Sequence, residues 1–225
     1  MSELKFTHPH TLFKDADSKL KAVGAESFFK NPAEDVKKAR EAFQIFFFAL
    51  ALKKQTKRDW WLYQPNQAER AYPDFDLLSF SESGKIEKFN IELTGAYPHF
   101  KDFNELKKVI DKKKKQYGKR KLDFSLLIFV NNIKSIQWVN LLNHLIKSPE
   151  PFISIWTLHL LSNETQTEIK KVVATCIAPK LSVPILIDIE DDEIYKLQDI
   201  PDFMEGELVN GNIYYRLKKD RLNKT

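Results

Sequence analysis

The chain has 225 residues, 43% hydrophobic and 30% charged, with a formal net charge of +5. That length buries a substantial core in one large domain or two small ones, and a single cysteine, Cys176, excludes a disulfide framework or a Cys-based zinc site. Six glycines leave no phosphate-cradling loop or dinucleotide fingerprint, and the longest apolar run, 43–52, is too short to span a bilayer. A cytoplasmic protein without membrane contact is expected.

Residues 1–30 read as an N-terminal helical extension, one short helix or two, with apolar spacing at Leu20, Val23 and Phe28. His8 and His10 read as part of an exposed segment rather than as metal ligands. Residues 31–225 read as a single α/β domain, with its core over 31–131. Asn31-Pro32-Ala33-Glu34 predicts a helix start, with Asn31 as N-cap and Pro32 at the first helical position. This helix is expected to reach Lys54. Val36, Ala39, Phe43, Phe47 and Leu50 share one face, and the second half is apolar nearly all round, so it belongs in a core. Residues 59–63 read as a strand whose Trp60, Trp61 and Tyr63 serve the core rather than stack on bases.

Two alternating segments follow, 72–80 and 89–94, separated by a Glu82-Ser83-Gly84-Lys85 turn signal, and predict a β-hairpin. Side chains two apart on a strand share a face. Asp74, Asp76, Leu78 and Phe80 therefore point one way, and Phe75 and Leu77 the other. On the return strand Lys88, Asn90, Glu92 and Thr94 form a polar face opposite Phe89, Ile91 and Leu93. A three-residue connection sets Asp74 beside Glu92 and Asp76 beside Asn90, whereas a two-residue Ser-Gly turn breaks that parity. Adjacent carboxylates repel, and a hard divalent cation is the usual reason for keeping them together.

A helix is predicted over 102–117, with Phe103, Leu106, Val109, Ile110 and Tyr117 as its apolar stripe, and a strand buried on both faces over 122–130. Beyond these come a helix over 135–147, a strand over 152–161 and a helix over 164–177. Cys176 falls in that last helical pattern and reads as a buried structural thiol. Further strands are expected over 183–189 and 212–217.

The order helix, three strands, helix, strand, together with Pro73-Asp74 and Glu92, resembles the PD-(D/E)XK nuclease superfamily. Its signature is Pro-Asp, a spacer, then Asp or Glu, any residue and Lys. The resemblance implies a restriction-endonuclease-like αβββαβ core, a mixed central sheet flanked by helices and extended C-terminally by further helix and strand units. It also implies Mg²⁺- or Mn²⁺-dependent hydrolysis of phosphodiester bonds in nucleic acid, in DNA sooner than RNA. Asp74 and Glu92 would be metal ligands and Asp76 a second choice, with the Leu93 carbonyl as the backbone ligand. Thr94 occupies the position of the signature lysine. The alternative is a catalytically inactive nuclease-fold protein that binds nucleic acid or a protein partner.

With Thr94 uncharged, a cation must come from elsewhere. Lys113 interrupts the apolar stripe of the 102–117 helix, so its stem is expected to face the sheet while Lys112, Lys114 and Lys115 point outward. Lys113 and Thr94 thus join Asp74 and Glu92 as catalytic candidates. Residues 112–121 hold seven cations in ten positions. Lys112, Lys114, Lys115, Lys119, Arg120 and Lys121 are the candidate phosphate contacts. Glu69 and His99 read as loop residues, and Glu41 is set aside because it sits opposite the Phe43/Phe47 stripe. A second copy of the chain, in a homodimer, is a candidate partner.

Overall fold

The computed structural model describes residues 6–63, 74–80, 86–96, 103–117, 123–130, 135–147, 151–162, 169–188, 202, 204–209 and 212–218. Its elements are β1 (Phe6–Thr7), α1 (Pro9–Val23), α2 (Ala25–Lys30), α3 (Glu34–Thr56), β2 (Trp61–Tyr63), β3 (Phe75–Phe80) and β4 (Ile86–Ala96). They continue with α4 (Phe103–Tyr117), β5 (Phe124–Val130), α5 (Ser135–Lys147), β6 (Ile155–Ser162), β7 (Ile169–Ala178), β8 (Ile185–Asp188), β9 (Met204–Val209) and β10 (Asn212–Leu217).

The strands form one mixed sheet of ten in the order β8-β7-β6-β5-β4-β3-β2-β1-β10-β9. β4, β5 and β6 run parallel and every other pairing is antiparallel. The parallel contact between β4 and β5 requires a crossover, and α4 supplies it. The fold is therefore mixed α/β, with helices on both faces of the sheet.

Strand parity identifies those faces. On β5, Leu127 and Phe129 enter a cluster with Phe13, Phe28, Phe43 and Phe47, beneath α1, α2 and α3. Its neighbours Phe124, Leu126, Ile128 and Val130 enter a second cluster with Ile110 and Tyr117 of α4 and Leu145 of α5. All seven β5 residues are buried, which explains an apolar run broken only by Ser125. A third cluster, Trp61, Leu78, Met204 and Tyr215, extends the core beneath β2, β3, β9 and β10. The N-terminal helices share the main core: Phe13 stacks on Phe46 with ring centroids 4.2 Å apart, and Phe29 stacks on Phe129 at 5.4 Å. Trp60 lies in the α3-side cluster and Trp61 in the third, so the two tryptophans are core on opposite faces.

Four sequence expectations need correction. Residues 169–178 form strand β7, not a helix, and Cys176 is a half-buried strand residue whose thiol burial pushes upward in pKa. The β-branched run from Val172 through Ile177 suits a pleated, half-buried surface, and β6 offers it an antiparallel partner. Second, Asn31 closes α2 and Ala33 occupies the N-cap of α3. The Asn31 side chain instead accepts a 2.9 Å hydrogen bond from the Ala33 N–H. Third, the strand expected over 183–189 begins at Ile185, and Val183 is 84% exposed. Fourth, Lys114 is half-buried rather than fully outward, and that burial lowers its pKa, with the Asp111 charge partly offsetting it. β1 and β9 were not anticipated.

Candidate functional site

The hairpin register is the one the three-residue connection demands. Phe75 pairs with Ile91, Asp76 with Asn90, and Leu77 with Phe89. Carried one residue further, the same register brings Asp74 beside Glu92. Phe75, Leu77, Ile91 and Leu93 join the α3-side core, so Asp76, Asn90, Glu92 and Thr94 face the α4 side. The connection itself, 81–85, lies outside the described residues, as do Glu69 and His99.

Each acid is held differently. Asp74 Oδ2 accepts from the Leu93 backbone N–H at 2.8 Å, tying the start of β3 to the strand that carries Glu92. Glu92 is 2% exposed. Its Oε1 receives the Lys113 ammonium from α4, and its Oε2 is buried with no hydrogen-bond partner among the described residues. Burial raises the Glu92 pKa and the Asp74 charge raises it further, while Lys113 and the Tyr117 hydroxyl oppose them. Lys113 and Tyr117 are four apart on α4 and so lie on one face of the helix.

Asp76, also 2% exposed, pairs with Lys88 at 3.0 Å through Oδ2. Burial raises its pKa, Lys88 counteracts, and the Asp123 charge adds to the rise. Thr94 is buried on the Glu92 face, level with Ile128 of β5. Lys112 and Lys115 are exposed and Lys114 is half-buried, while 118–122, including Lys119, Arg120 and Lys121, lie outside the described residues.

A further acid, Glu41, feels the same Asp74 charge. Glu41 on α3 lies within electrostatic reach of Asp74: burial raises its pKa, Lys37, 3.8 Å away, lowers it, and Asp74 raises it again. The Asp74 charge thus acts on both Glu41 and Glu92. The signal available in sequence was the position of Glu41 at the polar edge of an otherwise apolar helix half.

Known proteins do not identify the chain. No family model, curated protein or solved structure matches it.

Chemically, the arrangement fits a hard divalent cation. It offers a buried, unpartnered carboxylate oxygen on Glu92 and a second carboxylate, Asp74, beside it. Among the described residues no three His, Cys, Asp or Glu side chains converge closely enough to hold an ion. Two carboxylates with the remaining positions left to water and substrate is the usual pattern for Mg²⁺. Among the described residues no helix is long and apolar enough to cross a membrane.

Proposed function

We propose that this protein is a metal-dependent nuclease of the PD-(D/E)XK type, acting on DNA, and that its αβββαβ segment from α3 to β5 is a restriction-endonuclease-like core. The observation that carries the reading is the convergence of Asp74, Glu92 and Lys113. A hairpin supplies the two acids and the next helix the lysine: Lys113 pairs with Glu92 while Asp74 binds the Leu93 backbone N–H on the same strand, although the lysine is absent from its signature position. Burying Glu92 beside the Asp74 charge is unfavourable in isolation, and such a perturbed group points to a place where function requires it.

Asp74 and Glu92 would hold the cation, with Glu92 Oε2 as the available ligand atom. When bound, the cation polarises the phosphoryl oxygen and lowers the pKa of a water. The Lys113 ammonium orients that water and stabilises negative charge developing on the phosphate. Water oxygen forms a bond to phosphorus as its proton passes to bulk water, the bond to the leaving oxygen breaks, and the leaving alkoxide takes a proton from solvent. Thr94 contributes a hydroxyl beside Glu92 but no charge. The exposed lysines of α4 offer phosphate contacts on the helix that delivers Lys113.

The test is cleavage of plasmid, single-stranded and branched DNA with Mg²⁺ or Mn²⁺. Activity that EDTA removes and that Asp74→Asn or Glu92→Gln abolishes, with folding retained, supports the reading. Undiminished cleavage by the double variant assigns the activity elsewhere. Salt-dependent DNA binding without turnover under any metal would favour the non-catalytic binding protein.

A further inference from the structure

One row of side chains is not used by the proposed chemistry. Tyr63 of β2 pairs with Asp76 of β3, Asp76 with Asn90 of β4, and Asn90 with Phe124 of β5. Paired residues on adjacent strands share a face, so these four form a straight row across the sheet. It lies on the α4 side, two residues along the strands from Asp74 and Glu92. At the usual strand spacing it is about 14 Å from Tyr63 to Phe124.

The middle of that row holds two unsatisfied acceptors. Asp76 Oδ2 takes the Lys88 ammonium at 3.0 Å, and Asp76 Oδ1 is buried without a hydrogen-bond partner among the described residues. The Asn90 amide is oriented by its Nδ2, which donates to the Asp123 backbone carbonyl at 3.2 Å, a group that can only accept. Asn90 Oδ1 is therefore an acceptor, and it too is buried and unpartnered among the described residues. Buried polar atoms are paired in the large majority of cases. Two orphaned acceptors at directly paired positions call for a ligand that donates twice.

A second cation suits this place poorly, because Lys88 already neutralises Asp76 and the other oxygen belongs to a neutral amide. A pair of adjacent N–H donors suits it well. Resting on the nucleic-acid reading above, we infer that the Tyr63–Asp76–Asn90–Phe124 row is a base-reading subsite that selects an unpaired guanine beside the cleavage site. The Watson–Crick edge of guanine carries an imino N–H and an amino group side by side. Adenine and cytosine present one amino group each, and thymine a single N–H between two carbonyl oxygens that Asp76 and Asn90 would repel. In a duplex this edge is already paired, so the subsite reads single-stranded or extruded bases. Half-buried Tyr63 bounds the pair on one side, and Phe124, packed in the core against Tyr117 and Phe152, closes it on the other. Lys88, 48% exposed, covers Asp76 from the solvent side, and drawing it onto a phosphate would open the acceptors.

The experiment is equilibrium binding of the full chain, in EDTA to prevent cleavage, to labelled twelve-residue oligothymidylates with one central substitution. Central guanine is expected to bind about tenfold tighter than all-thymine. Inosine, which keeps the imino N–H and lacks the amino group, should lose most of that gain. Asp76→Asn should erase the guanine preference while salt-dependent binding to all-thymine persists. Equal affinities for every central base, with salt-dependent binding intact, would overturn the subsite and leave the nuclease reading standing, the orphaned oxygens then serving only a buried water. Absence of binding to any oligonucleotide would overturn both. If Asp76→Asn fails to fold, the base series on the wild-type chain decides alone.

Discussion

Lys113 reaches Glu92 across 21 residues of chain, from the middle of α4 to the middle of β4, and occupies one of its two carboxylate oxygens. The pairing follows from two periodicities. Lys113 falls on the sheet-facing stripe of α4 by the 3.6-residue period, and Glu92 falls on the α4 side of β4 by the two-residue period. A lysine inside an apolar stripe is ordinarily a stem lying along a surface with its charge in water. Here the ammonium meets a nearly buried carboxylate instead.

Lys113→Met is expected to keep Mn²⁺ binding and lose turnover by about 10²- to 10³-fold, the range for removing one charge-stabilising donor. Lys115→Met, on the exposed face of the same helix, should weaken DNA binding but leave turnover at saturating DNA unchanged. Titration calorimetry with Mn²⁺ and initial cleavage rates separate the two roles. Equal rates for both variants would reduce the Lys113–Glu92 pair to a structural ion pair.

The hairpin was legible because its alternation is strict and one face of each arm is apolar, so that a register slip would expose Phe75, Leu77, Ile91 and Leu93. The stripe of α4 was legible for the same reason in the helical period. β7 was not, because Ile169, Val172, Val173 and Cys176 sit at i, i+3, i+4 and i+7, the spacing of a helix face. Its β-branched content was the better guide. β9 was missed although Met204, Gly206 and Leu208 alternate with Glu205 and Glu207, and Asn210-Gly211 between it and β10 is a strong hairpin signal in the sequence. Glu41 was set aside on helix phase alone, which cannot register the Asp74 charge acting on it from the start of β3.

The exposed lysines of α4 should behave as phosphate-binding groups. Reversing Lys108, Lys112 and Lys115 to Glu is expected to weaken DNA binding about equally across sequences. The slope of log K against log salt should shrink by about one for each phosphate that is no longer neutralised. Lys114 is omitted because it is half-buried against Asp111, so its reversal would also disturb the helix. An unchanged slope would assign these residues to a solvated face.

Arg40 ties the N-terminal helices to the helix that carries Glu41. Its Nη1 donates to the Phe28 carbonyl at 2.8 Å and the Asn31 carbonyl at 2.6 Å, at the end of α2. Arg40→Met keeps much of the stem and strands both carbonyls, for an expected loss of about 2–4 kcal/mol in urea unfolding. A change under about 0.5 kcal/mol would show that water replaces the guanidinium freely.

Glu92, Asp76 and Glu41 all have pKa values raised by burial above the ordinary 4.5, 3.8 and 4.5. The native state then holds protons that the unfolded chain has released. By linkage, the stability these groups contribute is fully present below the ordinary carboxyl range and is lost as pH rises through the raised native values. In EDTA the melting temperature is therefore expected to fall as pH increases above that range, the reverse of the usual trend for carboxylates paired in the native state. Divalent cations should act in the opposite sense, because they bind the ionised Glu92. Their stabilisation should grow with pH and reach about 2.7 kcal/mol at a hundred times the dissociation constant. Asp76→Asn should flatten part of the pH dependence and keep the response to Mg²⁺. Glu92→Gln should flatten it too, but lose that response. A melting temperature that climbs with pH in EDTA, or a Mg²⁺ response that survives Glu92→Gln undiminished, would remove Glu92 from the proposed cation site.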